Sequence, residues 1–191
     1  MKVYLDNAAT TPLDEEVIAA MIPVMKENYG NPSSVHALGR QSRAIIEKAR
    51  KQVAGYINAA PSEIFFTSGG TEADNMVLRS CTEDLDVNHI ITSTIEHHAV
   101  IDTAQCVEKH NNIKLSLVNI DDKGYIDLNH LEQLLEENKD KKTLVSLMHA
   151  NNEIGNLLPL KKVAEICKKY QAYFHSDTVQ TVGHYPFDVR E

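Results

Sequence analysis

Asp177 closes the run Tyr173-Phe174-His175-Ser176-Asp177, and Thr178-Val179-Gln180 come directly after it. Aromatic and β-branched residues there favour a short strand ending in an acid, with an amide three residues on. A carboxylate at the carboxyl end of a strand stands where α/β sheets bind ligands, although the same residue type also caps a following helix or turn. Three upstream stretches carry further groups able to do chemistry. Thr67-Ser68-Gly69-Gly70-Thr71-Glu72-Ala73-Asp74-Asn75 sets two glycines and a hydroxyl before a helix, so that backbone N–H groups can converge on an anion. It is neither the Walker pattern nor the dinucleotide fingerprint, and a glycine turn with a capping threonine would look the same. Ser93-Thr94-Ile95-Glu96-His97-His98-Ala99-Val100 offers an imidazole at a helix start. Adjacent histidines there point in different directions, so they do not share one metal ion. His149-Ala150-Asn151-Asn152-Glu153-Ile154-Gly155 gathers donors and acceptors ahead of a turn glycine, which by itself is ordinary loop chemistry.

These groups need a scaffold, and the hydrophobic periodicity supplies one. Thr11-Pro12-Leu13-Asp14 reads as a helix start with Thr11 as the cap, and Pro23 should kink or interrupt that helix. Leu38, Ile45, Ile46, Ala49, Val53 and Ile57 form one stripe of a longer helix. Strands are expected at Ile64–Thr67, His89–Ser93, Leu115–Val118, Leu144–Met148 and at the run ending in Asp177. Helices alternate with them around Met76–Leu78, Val100–Val107, Leu128–Leu135 (behind Asp127 as cap) and Leu160–Tyr170. Such alternation predicts an α/β domain with a largely parallel sheet flanked by helices, and the chemical groups fall after its strands.

Composition bounds the partners. The 191 residues carry a formal net charge of −8, which disfavours nucleic-acid backbones and anionic membranes. No apolar run approaches the roughly 20 residues of a membrane span, and the N-terminus is too soon polar for a secretion signal. Cys81, Cys106 and Cys167 are odd in number and widely spaced. They argue for packing roles in a reducing, cytoplasmic setting rather than for disulfides or structural zinc.

An anion cup, an imidazole, an amide and an acid at the strand ends of one sheet match pyridoxal phosphate. The cup would take the phosphate and the ring would lie against the imidazole. The acid would face the pyridine nitrogen and keep it protonated. The stretches already quoted, with Leu5-Asp6-Asn7-Ala8-Ala9-Thr10-Thr11-Pro12, Gly30-Asn31-Pro32-Ser33-Ser34-Val35-His36 and His175 to Gly183, resemble in order and spacing the N-terminal portion of the cysteine desulfurases. Those enzymes belong to the class V aminotransferase-like group of pyridoxal-phosphate fold type I. The resemblance implies that Gly70 and Thr71 hold the phosphate, and that His97 stacks on the ring and moves protons. It further implies that Asn152 contacts cofactor or substrate, Asp177 the pyridine nitrogen and Gln180 the phenolic oxygen.

It also implies a dimeric enzyme that takes sulfur from L-cysteine, leaves alanine, and passes the sulfur as a persulfide to an acceptor or scaffold protein for iron–sulfur cluster assembly or thiolation. The family's Schiff-base lysine, mobile cysteine loop and small domain have no counterpart in these residues. Residues 1–15 are therefore expected to be an N-terminal segment and 16–191 an incomplete large domain, inactive alone. Selenocysteine lyase or another class V enzyme is the alternative within the same chemistry. Outside it stand a non-catalytic fragment docking a partner chain, and a metal-dependent hydrolase built on His97, His149, His175 and Asp177.

Overall fold

Two strands are buried along their whole length, β1 (His89–Thr92) and β3 (Thr143–Ser146). Continuous burial of this kind belongs to the centre of a parallel sheet covered on both faces. The structure, a computed structural model, describes residues 1–111 and 113–190. In it β1 and β3 are neighbours in a four-stranded sheet of order β2-β1-β3-β4, with β2 (Lys114–Leu117) and β4 (Tyr173–His175) at the edges. Every pairing is parallel, as the alternation of strand and helix predicts.

Successive residues of the central strands serve opposite faces, because strand side chains alternate. Ile90 and Leu144 pack with Leu78 and Cys81 of α3 (Gly70–Glu83) and with Val100, Ala104 and Val107 of α4 (His98–Asn111). Ile91 and Val145 pack instead with Leu131 and Leu135 of α5 (Leu128–Glu137) and with Val163 and Cys167 of α6 (Leu160–Lys169). Each fully buried aliphatic side chain contributes about 1.5–3 kcal/mol. Asp127 caps α5 as expected, accepting the Asn129 and His130 N–H groups. At the amino end of the sheet His89 bridges three strands, its Nδ1 3.0 Å from Thr143 Oγ1 and its Nε2 2.9 Å from Ser116 Oγ. Burial, aided by the Lys114 and Lys141 charges, pushes this imidazole down to about 4, so the staple is a neutral ring.

The strand order also places a ligand crevice. From β1 the chain crosses through α4 to β2 on one side, then returns through α5 to β3 on the other. The connections leaving β1 and β3 therefore part at the carboxyl ends of the two strands, the topological switch point of an open α/β sheet.

The chain divides into two compact units, Phe66–Tyr185, which holds the sheet, and Met1–Phe65 with the segment from Pro186. In the second of these, α1 spans Glu15–Glu27 and α2 Ala37–Tyr56. The Gly30–His36 turn lies tightly on the start of α2. A Cβ on Gly30 would stand 2.4 Å from the Leu38 carbonyl oxygen, and one on Gly39 2.5 Å from that of Ser34. Further along, Arg50 donates to the Ile64 carbonyl, and the Asn58 amide donates to the Asp188 carboxylate at 2.9 Å.

Three expectations need correction. Asp14, not Thr11, caps α1, because its carboxylate accepts the Glu16 N–H at 2.9 Å. Pro23 neither ends nor interrupts the helix, which continues to Glu27. Ile64–Thr67 is not a strand; it comes after a 3-10 turn at Pro61–Glu63 and stands outside the four-stranded sheet, and Phe65 is 73% exposed. Strand-forming residues extend the backbone there, but a strand needs a hydrogen-bonded neighbour, and the sheet ends at β2 and β4.

Candidate functional site

The first component is the start of α3. Ser68 N–H donates to the Glu72 carboxylate at 2.6 Å and Thr67 Oγ1 to the Gly69 carbonyl at 3.0 Å, which closes the turn before the helix. The first-turn N–H groups of α3 have no acceptor within the helix, and Thr71 adds an exposed hydroxyl beside them. Gly70 has a reason in packing: a Cβ there would lie 2.8 Å from Val179 Cγ2. Glycine thus lets the loop after β4 come close to the start of α3 without displacing the Val179 side chain. Gly69 is different, since a Cβ on it would meet nothing within 4 Å.

That loop carries Asp177. Hydrogen bonding continues past β4, with Leu147 N–H donating to the His175 carbonyl and His149 N–H to that of Asp177 at 2.9 Å. Asp177 is buried at this end of the sheet, and one carboxylate oxygen accepts the Val179 N–H at 2.9 Å. Its second oxygen meets no donor among the described residues. The acid thus caps its own turn and keeps an acceptor for something else. Gln180 lies half-buried in the following turn, and Ser176 Oγ is buried without a partner among the described residues. Thr181 fixes the turn from behind, its hydroxyl 3.0 Å from His149 Nδ1.

Two more acids surround Asp177. Asp74, one helical turn after Gly70, is buried with its Oδ1 3.5 Å from His175 Nε2, and His175 Nδ1 is 2.9 Å from Ser146 Oγ. Burial, with the Asp177 charge adding to it, pushes the Asp74 carboxyl up to about 6. Burial also lowers the His175 imidazole, against the pull of Asp177, so the contact is between a carboxyl and a neutral ring. Glu96 is pushed up to about 7, mainly by burial and further by Asp177 and Asp74, while its hydrogen bonds act the other way. Three carboxyls in one poorly hydrated place favour a cationic group among them.

His97 stands at the start of α4, exposed, with its Nδ1 accepting the Ala99 N–H at 3.1 Å. A neutral ring held this way carries its proton on Nε2. Asn152 is half-buried in the loop after β3 and donates to the Glu153 carboxylate at 2.9 Å. His97 thus comes after β1, Asn152 after β3 and Asp177 after β4, all at the carboxyl edge, and Gly70 touches the last loop. All lie within the unit Phe66–Tyr185.

Sequence reasoning passes over Asp74, Asn151 and Glu96. Asp74 carries a faint signal, four residues beyond Gly70 on the same helix face, and Glu96 another, in its place beside His97. Among the described residues no group of three or more His, Cys, Asp or Glu side chains is arranged to hold a metal ion. A cavity of about 140 Å³ lined by Ile95, Glu96, Tyr125, Met148 and Leu158 contains none of Gly70, Thr71, His97, Asn152, Asp177 or Gln180.

The residues present fit pyridoxal phosphate: an open helix start with an exposed hydroxyl, and a buried carboxylate with one oxygen that meets no donor among the described residues. Comparison with known proteins gives the family. The family model for aminotransferase class-V matches residues 3–191. A cysteine desulfurase IscS from Dictyoglomus turgidum is 46% identical over 192 residues, covering 100% of this chain and 48% of its own length. One from Methanosarcina thermophila is 44% identical, over 99% of this chain and 46% of its own. The mitochondrial cysteine desulfurase of Saccharomyces cerevisiae is 41% identical over 99% of this chain and 38% of its own. Among solved structures, a NifS-like protein superposes with a TM-score of 0.92 at 41% identity, covering 100% of this chain and 52% of that one. SspA in complex with cysteine superposes with a TM-score of 0.89 at 29% identity, over 98% and 53%. The chain spans about half the length of the curated relatives it matches.

Proposed function

The chain belongs to the aminotransferase class-V family, and from that membership we propose that it forms the cofactor-binding part of a pyridoxal-phosphate-dependent cysteine desulfurase. The observation that carries this reading is the meeting of two features at one sheet edge. The buried Asp177 carboxylate keeps one oxygen that meets no donor among the described residues, and the loop it heads approaches the start of α3 so closely that a Cβ on Gly70 would stand 2.8 Å from Val179 Cγ2. In this proposal the first-turn amides of α3 and the Thr71 hydroxyl bind the phosphate. Asp177 holds the proton of the pyridine nitrogen, Gln180 meets the phenolic oxygen, His97 covers the ring face, and Asn152 meets cofactor or substrate. The bound cofactor supplies an electron sink for a carbanion at the amino-acid α-carbon. Asp74 and Glu96 strengthen the preference of this place for a protonated ring.

L-cysteine is the proposed substrate. The identities to cysteine desulfurases and the cysteine complex of a structural neighbour support it. Alanine and a persulfide passed to an acceptor or scaffold protein are the proposed products, in a homodimer. The cytoplasm is the proposed compartment, beside relatives that include mitochondrial proteins. Residues 1–15 as a terminal segment and 16–191 as part of a large domain remain the proposed organisation. The test is to titrate the chain with pyridoxal phosphate and monitor its absorbance and fluorescence, with Asp177→Ala and Thr71→Val alongside. Saturable binding weakened by both variants is expected; binding indifferent to both would remove the reading.

A further inference from the structure

The crevice between β1 and β3 is crossed by two hydrogen-bonded ties that run in opposite directions. Glu96, in the loop after β1, reaches over to the segment that follows β3, where its two carboxylate oxygens stand 3.1 and 3.0 Å from the Met148 backbone nitrogen. Ser93 Oγ donates to the same carboxylate at 2.8 Å. Asn151, in the loop after β3, reaches back, and its amide donates to the Ile95 carbonyl at 2.6 Å. Its own Oδ1 accepts the Glu153 and Ile154 N–H groups at 2.8 and 2.9 Å. Each loop thus uses a buried side chain to hold the other loop's backbone.

The residues beside these two anchors are the ones the proposed function needs. Glu96 precedes His97, whose carbonyl accepts the Val100 and Ile101 N–H groups and so starts α4. Asn151 precedes Asn152. A side chain tethered this way fixes the backbone on which its neighbour's rotamer is built, and a site on two loops keeps its geometry only if the loops are tied together.

Resting on the function proposed above, we propose that Glu96 and Asn151 are a reciprocal pair of positioning residues, which sets His97 and Asn152 at a fixed separation across the β1–β3 crevice. Neither is a catalytic residue in this scheme. Glu96 acts through His97, and Asn151 through Asn152. Tying the loops side chain to backbone in both directions makes each loop's order depend on the other, which a cap serving only its own loop would not do.

The test reads that cross-dependence in the chain without cofactor. Asn151→Ala touches no group of α4, yet it should change the His97 ring nitrogen resonances and speed hydrogen exchange at Val100 and Ile101 roughly tenfold. Glu96→Ala should likewise speed exchange at Glu153 and Ile154, which Glu96 does not contact. Glu96→Gln keeps a carbonyl for the Met148 N–H and should restore the Glu153 and Ile154 rates to near those of the parent, which also guards against a misfolded alanine variant. Effects confined to each variant's own loop would overturn the pairing, whatever the cofactor does. A second arm titrates pyridoxal phosphate, where Asn151→Ala should bind about tenfold more weakly, the loss of roughly one net hydrogen bond. Unchanged binding would overturn the positioning role. A parent chain that binds none would overturn the functional reading itself, and with it the purpose given to the pair.

Discussion

Asp177 is asked to do two things that a single substitution can separate. Asparagine at 177 keeps the size and an acceptor for the Val179 N–H but cannot hold a proton on a ring nitrogen. In the whole protein Asp177→Asn should therefore retain pyridoxal phosphate while L-cysteine turnover falls by several powers of ten, each power being about 1.4 kcal/mol of barrier. Alanine and sulfide assays decide it; near-normal turnover would leave Asp177 a turn cap. Glu96 yields a prediction of a different kind. Its folded pKa is raised from 4.5 to about 7, so the folded chain holds that proton longer than the unfolded chain does. The protonated form therefore favours folding at low pH, and that advantage is lost as pH rises through about 7. A gap of this size corresponds to about 3 kcal/mol. Urea denaturation of the parent against Glu96→Gln, from pH 5 to 8, should show the parent losing ground by an amount of that order; parallel curves would disprove it. Neither Asp74 nor Glu96 can be picked out as a site residue from sequence. Their importance comes from sharing one desolvated place, and residues 74, 96 and 177 share it only once the sheet has formed.

Elements are easier to foresee where burial on both faces writes a continuous apolar run. Ile90-Ile91 and Leu144-Val145 are such runs, and they form the two central strands. Ile64-Phe65-Phe66 has the same composition but stands outside the sheet, and composition does not report which runs the sheet takes in. The cap of α1 departs from expectation for a local reason: Thr11 and Asp14 are both good caps, and which of them closes on the helix is decided by backbone geometry. His89 shows what pattern reading leaves out, a polar residue opening a buried strand. As a base with a depressed folded pKa of about 4 against 6.5, it confers stability that is lost as pH falls through that interval. His89→Phe should remove this acid sensitivity. It should also cost about 2–4 kcal/mol in stability at pH 7, because Thr143 and Ser116 lose their buried partner. Thermal melts of both proteins at pH 7 and pH 5 provide the measurement. A parent chain no more acid-sensitive than the variant would show that His89 takes up its proton as readily in the fold as in the unfolded chain.

For the molecule as a whole, the informative surface is α1, which has no buried residue although Val17, Met21, Val24 and Met25 lie along it. Exposed apolar surface of this kind drives association. The chain should therefore sediment with a concentration-dependent mass, and Met21→Lys with Met25→Lys should lower that mass without altering the melting temperature by more than a few degrees. Sedimentation unchanged by the two lysines would clear α1 of the role.

The order of the sheet carries one more consequence, in time rather than in space. The outer pairings join residues near in sequence, His89 with Lys114 and Leu144 with Tyr173, whereas the central pairing joins His89 with Thr143 across 54 positions. Closing a loop twice as long costs only about 0.6 kcal/mol more, but nothing rewards it until both central strands exist. The chain is thus expected to collapse as two halves, β1-α4-β2 and β3-α6-β4, which dock along the β1–β3 line last. Pulse-labelled hydrogen exchange during refolding should find the β1–β2 amides protected before those between β1 and β3; simultaneous protection would refute the order. On that course the crevice is the suture of the fold, and it comes into being only when folding ends.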